Sequence, residues 1–321
     1  MVRAVYQNPA IIGVQMSQPE MPHRSRVPWA LAVTVGLCSG LAGYVIHAAR
    51  VNRIPKQVVT VNRLTDMPGP EKSPAISPDE KNVAFVAGPQ QIWIQPLAAS
   101  RRLLVTLDDA SLAEPRWASD SRSLIYFSSG AIWEIPVQGG QARRLVDSKA
   151  EGDISHDGAR LAFFRFQGGD VEIAVAGRDG SDPRSLTKFN GDNLFGNLRW
   201  SPDDKKIAYM QDSNLMVADL SGGEPVRAAG GDLTIQDFTW APDNSGLIVS
   251  STQGRTSFDP LIFNLWFIPR VEGRSASQLT FGELSYESPD VSAGGNLMVC
   301  RQSLYGSRAD SDIVMFSGLK W

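Results

Sequence analysis

A chain of 321 residues with 42% hydrophobic and 20% charged residues lies in the ordinary globular range, which excludes wholesale disorder. The net charge of −3 conceals an asymmetry. Arg3, Arg24, Arg26, Arg50, Arg53 and Lys56 face only Glu20 in residues 1–56, so the remainder is strongly acidic and no nucleic acid is expected as a partner. The two cysteines, Cys38 in an apolar run and Cys300 near the C-terminus, imply no disulfide framework.

Residues 1–26 read as a short flexible tail. From Val27 to Ala49 there are 23 residues without a formal charge, counting His47 as neutral, and a bilayer core needs about 20 as helix. Trp29 and Tyr44 lie near the ends, where amphipathic rings favour the interface. The segment is predicted to be a transmembrane helix. The alternative is a cleaved signal peptide ending at Ala42, with Gly40 two residues earlier. A lipid-attachment site at Cys38 is disfavoured by Leu37. Three basic residues lie on each side of the segment, so charge gives no orientation. Ala32, Gly36 and Gly40 fall four apart on one helix face, the pattern that would allow a helix-mediated dimer. Residues 50–57 form a linker.

The rest of the chain, 58–321, repeats. Six segments align, beginning at Ser73, Glu114, Glu151, Asn197, Asp237 and Ser288. Each has a short strand ending on an apolar anchor: Ile76, Trp117, Ile154, Trp200, Trp240 and Val291. A tight Ser-Pro-Asp turn or a near relative follows. Asp79, Asp120, Asp157, Asp203 and Asp243 mark it, with Gly294 in the sixth copy, and these Asp side chains are expected to cap the turn's N–H groups. An apolar second strand comes next, then a third such as Ile92-Trp93-Ile94, a glycine turn, and a fourth strand ending as in Leu145-Val146. Successive markers are 41, 37, 46, 40 and 51 residues apart, the period of a four-stranded propeller blade. The sixth copy lacks a fourth strand, and VVTVNRLT at Val58–Thr65 matches the missing piece. The predicted fold is therefore all-β: a six-bladed β-propeller closed by an N-terminal strand and preceded by one transmembrane helix. Deleting residues 57–66 should destabilise the whole ring.

The Ser-Pro-Asp turn, the apolar strand after it and the third-strand Ile-Trp pattern resemble WD-like propeller repeats of the TolB type, over nearly all of residues 57–321. Copies three and six depart from it at Ser155-His156-Asp157 and Ser292-Ala293-Gly294. One membrane helix followed by such a propeller also resembles the C-terminal half of bacterial sensor-like proteins in which a kinase or winged-helix domain precedes the helix. Only 26 residues precede it here, so the chain reads as a shortened relative or as a late gene start. That resemblance implies a single-pass protein of the bacterial inner membrane with the propeller outside the cytoplasm.

Catalytic motifs are scarce. There is no Gly-x-Ser-x-Gly elbow and no hydrolase-sized domain after the blades. Of His23, His47 and His156, the last occupies a turn and reads as solvated. No zinc spacing or phosphate loop is seen, and no cofactor or metal is expected. The best site candidate is the column three residues before each anchor: Ser73, Glu114, Glu151, Asn197, Asp237 and Ser288. All six are polar, they should ring one mouth of the central channel, and they would suit a basic peptide or a cation. Two stretches, Lys188–Phe195 and Ser251–Pro260, read as loop insertions open to recognition. The favoured function is a membrane-anchored, non-enzymatic module that binds a protein or peptide. The alternative is a hydrolase or lyase using channel-lining carboxylates.

Overall fold

The computed structural model describes residues 59–88, 91–106, 114–190, 195–229, 233–253, 262–270, 275–304 and 309–319. The tail at 1–26, the apolar segment at 27–49 with Ala32, Gly36 and Gly40, and the linker at 50–57 lie outside them. Among the described residues no helix is long and apolar enough to cross a membrane.

The repeated turn is built the same way in every copy. The residue after the marker position takes left-handed φ: Glu80 56°, Ser121 58°, Gly158 73°, Asp204 55°, Asn244 62° and Gly295 73°. Its N–H donates to the carbonyl three residues back, at 2.8–3.0 Å. The five Asp carboxylates accept the N–H two residues on, at Lys81, Arg122, Ala159, Lys205 and Ser245, which is the capping expected of them. Gly294 has no such carboxylate, and its own N–H is taken by Glu80 Oε1 of the first repeat at 3.2 Å.

These turns join inner to second strands in six sheets. β1 (Thr60–Arg63) stands apart from the first blade, which is β2 (Lys72–Ile76), β3 (Asn82–Ala87), β4 (Gln91–Pro96) and β5 (Leu103–Leu104). Blade two is β6 (Arg116–Trp117), β7 (Ser123–Ser128), β8 (Ala131–Pro136) and β9 (Arg143–Asp147). Blade three is β10 (Asp153–Ile154), β11 (Arg160–Gln167), β12 (Asp170–Gly177) and β13 (Arg184–Asn190). Blade four is β14 (Phe195–Trp200), β15 (Lys206–Gln211), β16 (Asn214–Asp219) and β17 (Val226–Ala229). Blade five is β18 (Leu233–Trp240), β19 (Gly246–Gln253), β20 (Asn264–Pro269) and β21 (Ser277–Gln278). Blade six is β22 (Leu284–Val291), β23 (Leu297–Leu304) and β24 (Asp312–Ser317), completed by β1 in the order β1-β24-β23-β22.

The chain is thus a six-bladed β-propeller whose last blade takes its outer strand from the N-terminal side. Thr60 pairs with Ser317 and Arg63 with Val314, antiparallel. Every inner strand ends on its predicted anchor. The closing strand is shorter than the predicted Val58–Thr65, since pairing begins at Thr60 and ends at Arg63.

The apolar core is divided into six clusters, one at each seam between blades. At the closing seam, Ile76, Val83, Phe85 and Ala87 of blade one pack against Val299 and Ile313 of blade six. A ring stabilised seam by seam leaves no blade with an uncovered face.

The two expected insertions are partly strand. Lys188, Phe189 and Asn190 continue β13, because β11 and β12 are long enough to offer partners: Val171 pairs with Phe189 and Asp170 with Asn190. Phe189 also stacks on Tyr209 of blade four, with ring centroids 5.9 Å apart. Phe195 already belongs to β14. Ser251, Thr252 and Gln253 extend β19 opposite Ile235, Thr234 and Leu233. The remainder of both stretches lies outside the described residues. Cys300 is a free, fully buried thiol in β23, and burial pushes its pKa well up.

Candidate functional site

The innermost strand of each propeller blade borders the central channel. The column one residue before the anchors contains Ala75, Arg116, Asp153, Arg199, Thr239 and Asp290. All six line a cavity of about 400 Å³ at the end of the channel where the Ser-Pro-Asp turns lie. The anchors Ile76, Trp117, Ile154, Trp200, Trp240 and Val291 line it too, as do Pro78, Pro202 and Pro242 of the turns. The result is a funnel with a charged ring, an apolar collar and a turn-built rim.

The ring is held in register across the seams. Trp117 Nε1 donates to the Ala75 carbonyl at 2.9 Å, Trp200 Nε1 to the Asp153 carbonyl at 3.0 Å, and Trp240 Nε1 to the Arg199 carbonyl at 3.3 Å. Each bond ties an anchor to the ring residue of the blade before it. Two Asp side chains do the same through their carboxylates. Asp153 Oδ2 accepts the Trp200 N–H at 2.8 Å, and Asp290 Oδ2 accepts the Ile76 N–H at 2.7 Å. Burial holds the Asp153 carboxyl up at about 6, against the opposing pull of that bond and of Arg116. Burial raises Asp290 in the same direction.

Arg116 and Arg199 are the cations of the ring, 7% and 6% exposed. Arg116 reaches Glu114 Oε2 at 2.9 Å and the Pro115 carbonyl at 3.0 Å. Arg199 reaches the same Glu114 Oε2 at 3.4 Å and the Leu198 carbonyl at 2.8 Å. One carboxylate oxygen therefore serves two guanidiniums, and Nε of each is buried without a hydrogen-bond partner. Burial alone would lower the Arg116 pKa, but Glu114, Asp290, Asp153 and Asp237 outweigh it and raise it.

The predicted column, Ser73, Glu114, Glu151, Asn197, Asp237 and Ser288, sits two residues upstream, farther from the Ser-Pro-Asp turns, and none of its members lines the funnel. The structure brings several together in pairs. Glu151 Oε1 accepts the Asn197 N–H, and Asp237 is hydrogen-bonded to Ser288. Ser73, Asn197 and Ser288 have φ of 49°, 49° and 50°, each inside a register shift of its inner strand. Small polar residues tolerate that conformation better than β-branched or bulky ones. Burial first, then the charge of Glu114, holds the Glu151 carboxyl at about 8 and that of Asp237 at about 7. Among the described residues no group of three or more His, Cys, Asp or Glu side chains stands where it could hold a metal ion.

His156, read as a solvated turn residue, is half exposed, but it also lines the funnel. Its Nδ1 lies 3.1 Å from Asp204 Oδ1, and its backbone N–H donates to the same oxygen at 2.7 Å. The sequence reading missed Arg116, Asp153, Arg199 and Asp290. Their signal was present: a second column, polar in five of its six members, two residues after the first.

A family model for the lipoprotein LpqB β-propeller domain matches residues 55–256, more than half of the chain. The chain belongs to that family. Among solved structures, this LpqB-type propeller is similar to a protein assigned as TolB from Agrobacterium tumefaciens, at 19% identity over 67% of this chain and 80% of that one, with a TM-score of 0.57. It is also similar to oligogalacturonate lyase from Vibrio parahaemolyticus, at 11% identity over 82% and 94%, with a TM-score of 0.53. A gluconolactonase from Xanthomonas campestris matches at 12% identity over 81% and 89%, with a TM-score of 0.57. At these identities the likeness is one of fold, and the fold is shared by enzymes and other proteins alike.

Proposed function

We propose that this LpqB-type propeller is a membrane-associated, extracytoplasmic binding module that takes a protein segment or peptide into the funnel at its Ser-Pro-Asp mouth. The observation that carries the reading is the funnel itself. A cavity of about 400 Å³ with an apolar collar and a few convergent polar groups has the make-up of a ligand site. The family's lipoprotein description and the apolar segment at 27–49 support a place at a membrane.

One observation favours a second reading, catalysis by channel carboxylates. Glu151 and Asp237 are raised to about 8 and about 7, where a carboxyl can donate a proton near neutral pH. Both nevertheless lie off the funnel, and each is tied to a neighbouring blade, Glu151 to the Asn197 N–H and Asp237 to Ser288.

Binding of a random peptide library to the full-length chain in lipid nanodiscs separates the two. Tryptophans introduced at the rim, Ser119→Trp and Ala293→Trp, should abolish selection of peptides. Undiminished selection, or turnover of a uronate polymer or a sugar lactone that is lost in Glu151→Gln, would favour the second.

A further inference from the structure

The ring at the base of the funnel is balanced in formal charge but not in hydrogen bonding. Asp153 receives the N–H groups of Ile154 and Trp200, and Asp290 those of Ile76 and Val291. One bond of each crosses a seam and the other closes on the next residue of its own strand. The guanidiniums of Arg116 and Arg199 are committed far less. They share one oxygen of Glu114, donate once each to a neighbouring carbonyl, and keep Nε unpartnered at more than nine-tenths burial. Both Nε atoms are closed off from the cavity, so an incoming acceptor would meet the terminal N–H groups of the two arginines that line it.

We infer that the funnel takes the free C-terminal carboxylate of a peptide whose last side chain is apolar. The carboxylate would meet Arg199 and Arg116, whose planar forks suit a two-oxygen acceptor. The apolar side chain would lie on the collar at Ile76, Trp117 and Trp240. An ammonium ligand is the poorer fit. It would stand beside two guanidiniums, and the ring carboxylates already accept backbone N–H groups. Glu114, the nearest member of the acidic column, is spent on the two arginines. This inference rests on the reading of the funnel as a peptide site and specifies what that site recognises.

The test compares acetyl-Ala-Ala-Leu with a free carboxylate and the same peptide as C-terminal amide. Each is titrated into the full-length chain in nanodiscs and followed by calorimetry and by tryptophan fluorescence. The acid should bind at least tenfold more tightly. Arg199→Gln should erase that difference, and Arg199→Lys should restore part of it. If Arg199→Gln does not fold, the acid-to-amide ratio in the native protein still decides. Equal binding of acid and amide would overturn the inference and leave the peptide site standing. Binding of neither would overturn both, as would binding of galacturonate alone.

Discussion

Glu71 and Ile313 stand 242 residues apart in the chain, and Glu71 Oε2 accepts the backbone N–H of Ile313 at 3.1 Å. The same carboxylate takes the Thr65 hydroxyl and, through Oε1, the Met67 N–H at 2.9 Å. Ser311 adds two further bonds to the Glu71 backbone, and Arg301 Nε donates to the Ser311 hydroxyl at 3.0 Å. β1 is four residues long and exposed throughout, so pairing with β24 alone is a weak fastener. The buried Glu71 cluster just behind it pins the ring shut.

Glu71→Ala should therefore destabilise the propeller by about 2 kcal/mol, since the Met67 N–H and the Thr65 hydroxyl lose their carboxylate partner while the Ile313 N–H keeps only Thr65 Oγ1. Urea denaturation should show a lower midpoint with an unchanged slope. A loss below about 0.5 kcal/mol would mean that the strand pairing suffices without the latch.

The Trp200 indole joins blade four to blade three through Asp153, with Nε1 on the carbonyl and the backbone N–H on the carboxylate. Trp200 is 1% exposed. Trp200→Phe keeps most of the volume and loses the indole bond, which should cost about 1 kcal/mol. Trp200→Ala opens a cavity as well and should cost about 3–5 kcal/mol. Chemical denaturation of the pair checks the order and the gap between them.

Stability should fall as the solution is made alkaline. Glu151, Asp237 and Asp153 are raised by burial to about 8, about 7 and about 6, so between their ordinary values and these the folded protein holds protons that the unfolded chain has released. Their contribution is present below about 4 and is lost as pH rises through 6 to 8. Glu134 works the other way. Burial would raise it, but Arg143, Arg178 and Ser123 hold it at about 2, so its contribution is present above its ordinary value of 4.5 and is lost in acid. The melting temperature should peak near pH 4 to 4.5 and decline as pH rises from there to about 8. Glu151→Gln should flatten the decline between pH 6 and 8, and an identical profile in the variant would remove Glu151 from the account.

The blade count, the anchors and the swapped closing strand were legible in the sequence because each rests on local chemistry repeated six times. A turn needs its Asp and its left-handed position, and an inner strand needs its apolar end. The latch was not legible. Glu71 precedes the first repeat, and only the three-dimensional ring brings it to Ile313. The site was half legible. Glu114, Glu151 and Asp237 stood out as acidic at one column, yet the funnel is lined by the column two residues later. Its Arg-and-Asp mixture reads from one sequence as ordinary strand polarity. The ends of the insertions were obscured for a similar reason, because strand length at Phe189 and Ser251 follows from partners in β12 and β18.

The proposed recognition happens at the Ser-Pro-Asp mouth, through Arg116 and Arg199. The most direct measurement is photo-crosslinking of the full-length chain with acetyl-Ala-Ala-photoleucine bearing a free carboxylate, mapped by mass spectrometry. Labelling should be confined to the collar and its turns, at Ile76, Trp117, Trp240 or the residues just after them, and lost when unlabelled acid, but not amide, competes. Labelling at the opposite end of the channel or on the outer strands, or equal competition by the amide, would contradict it.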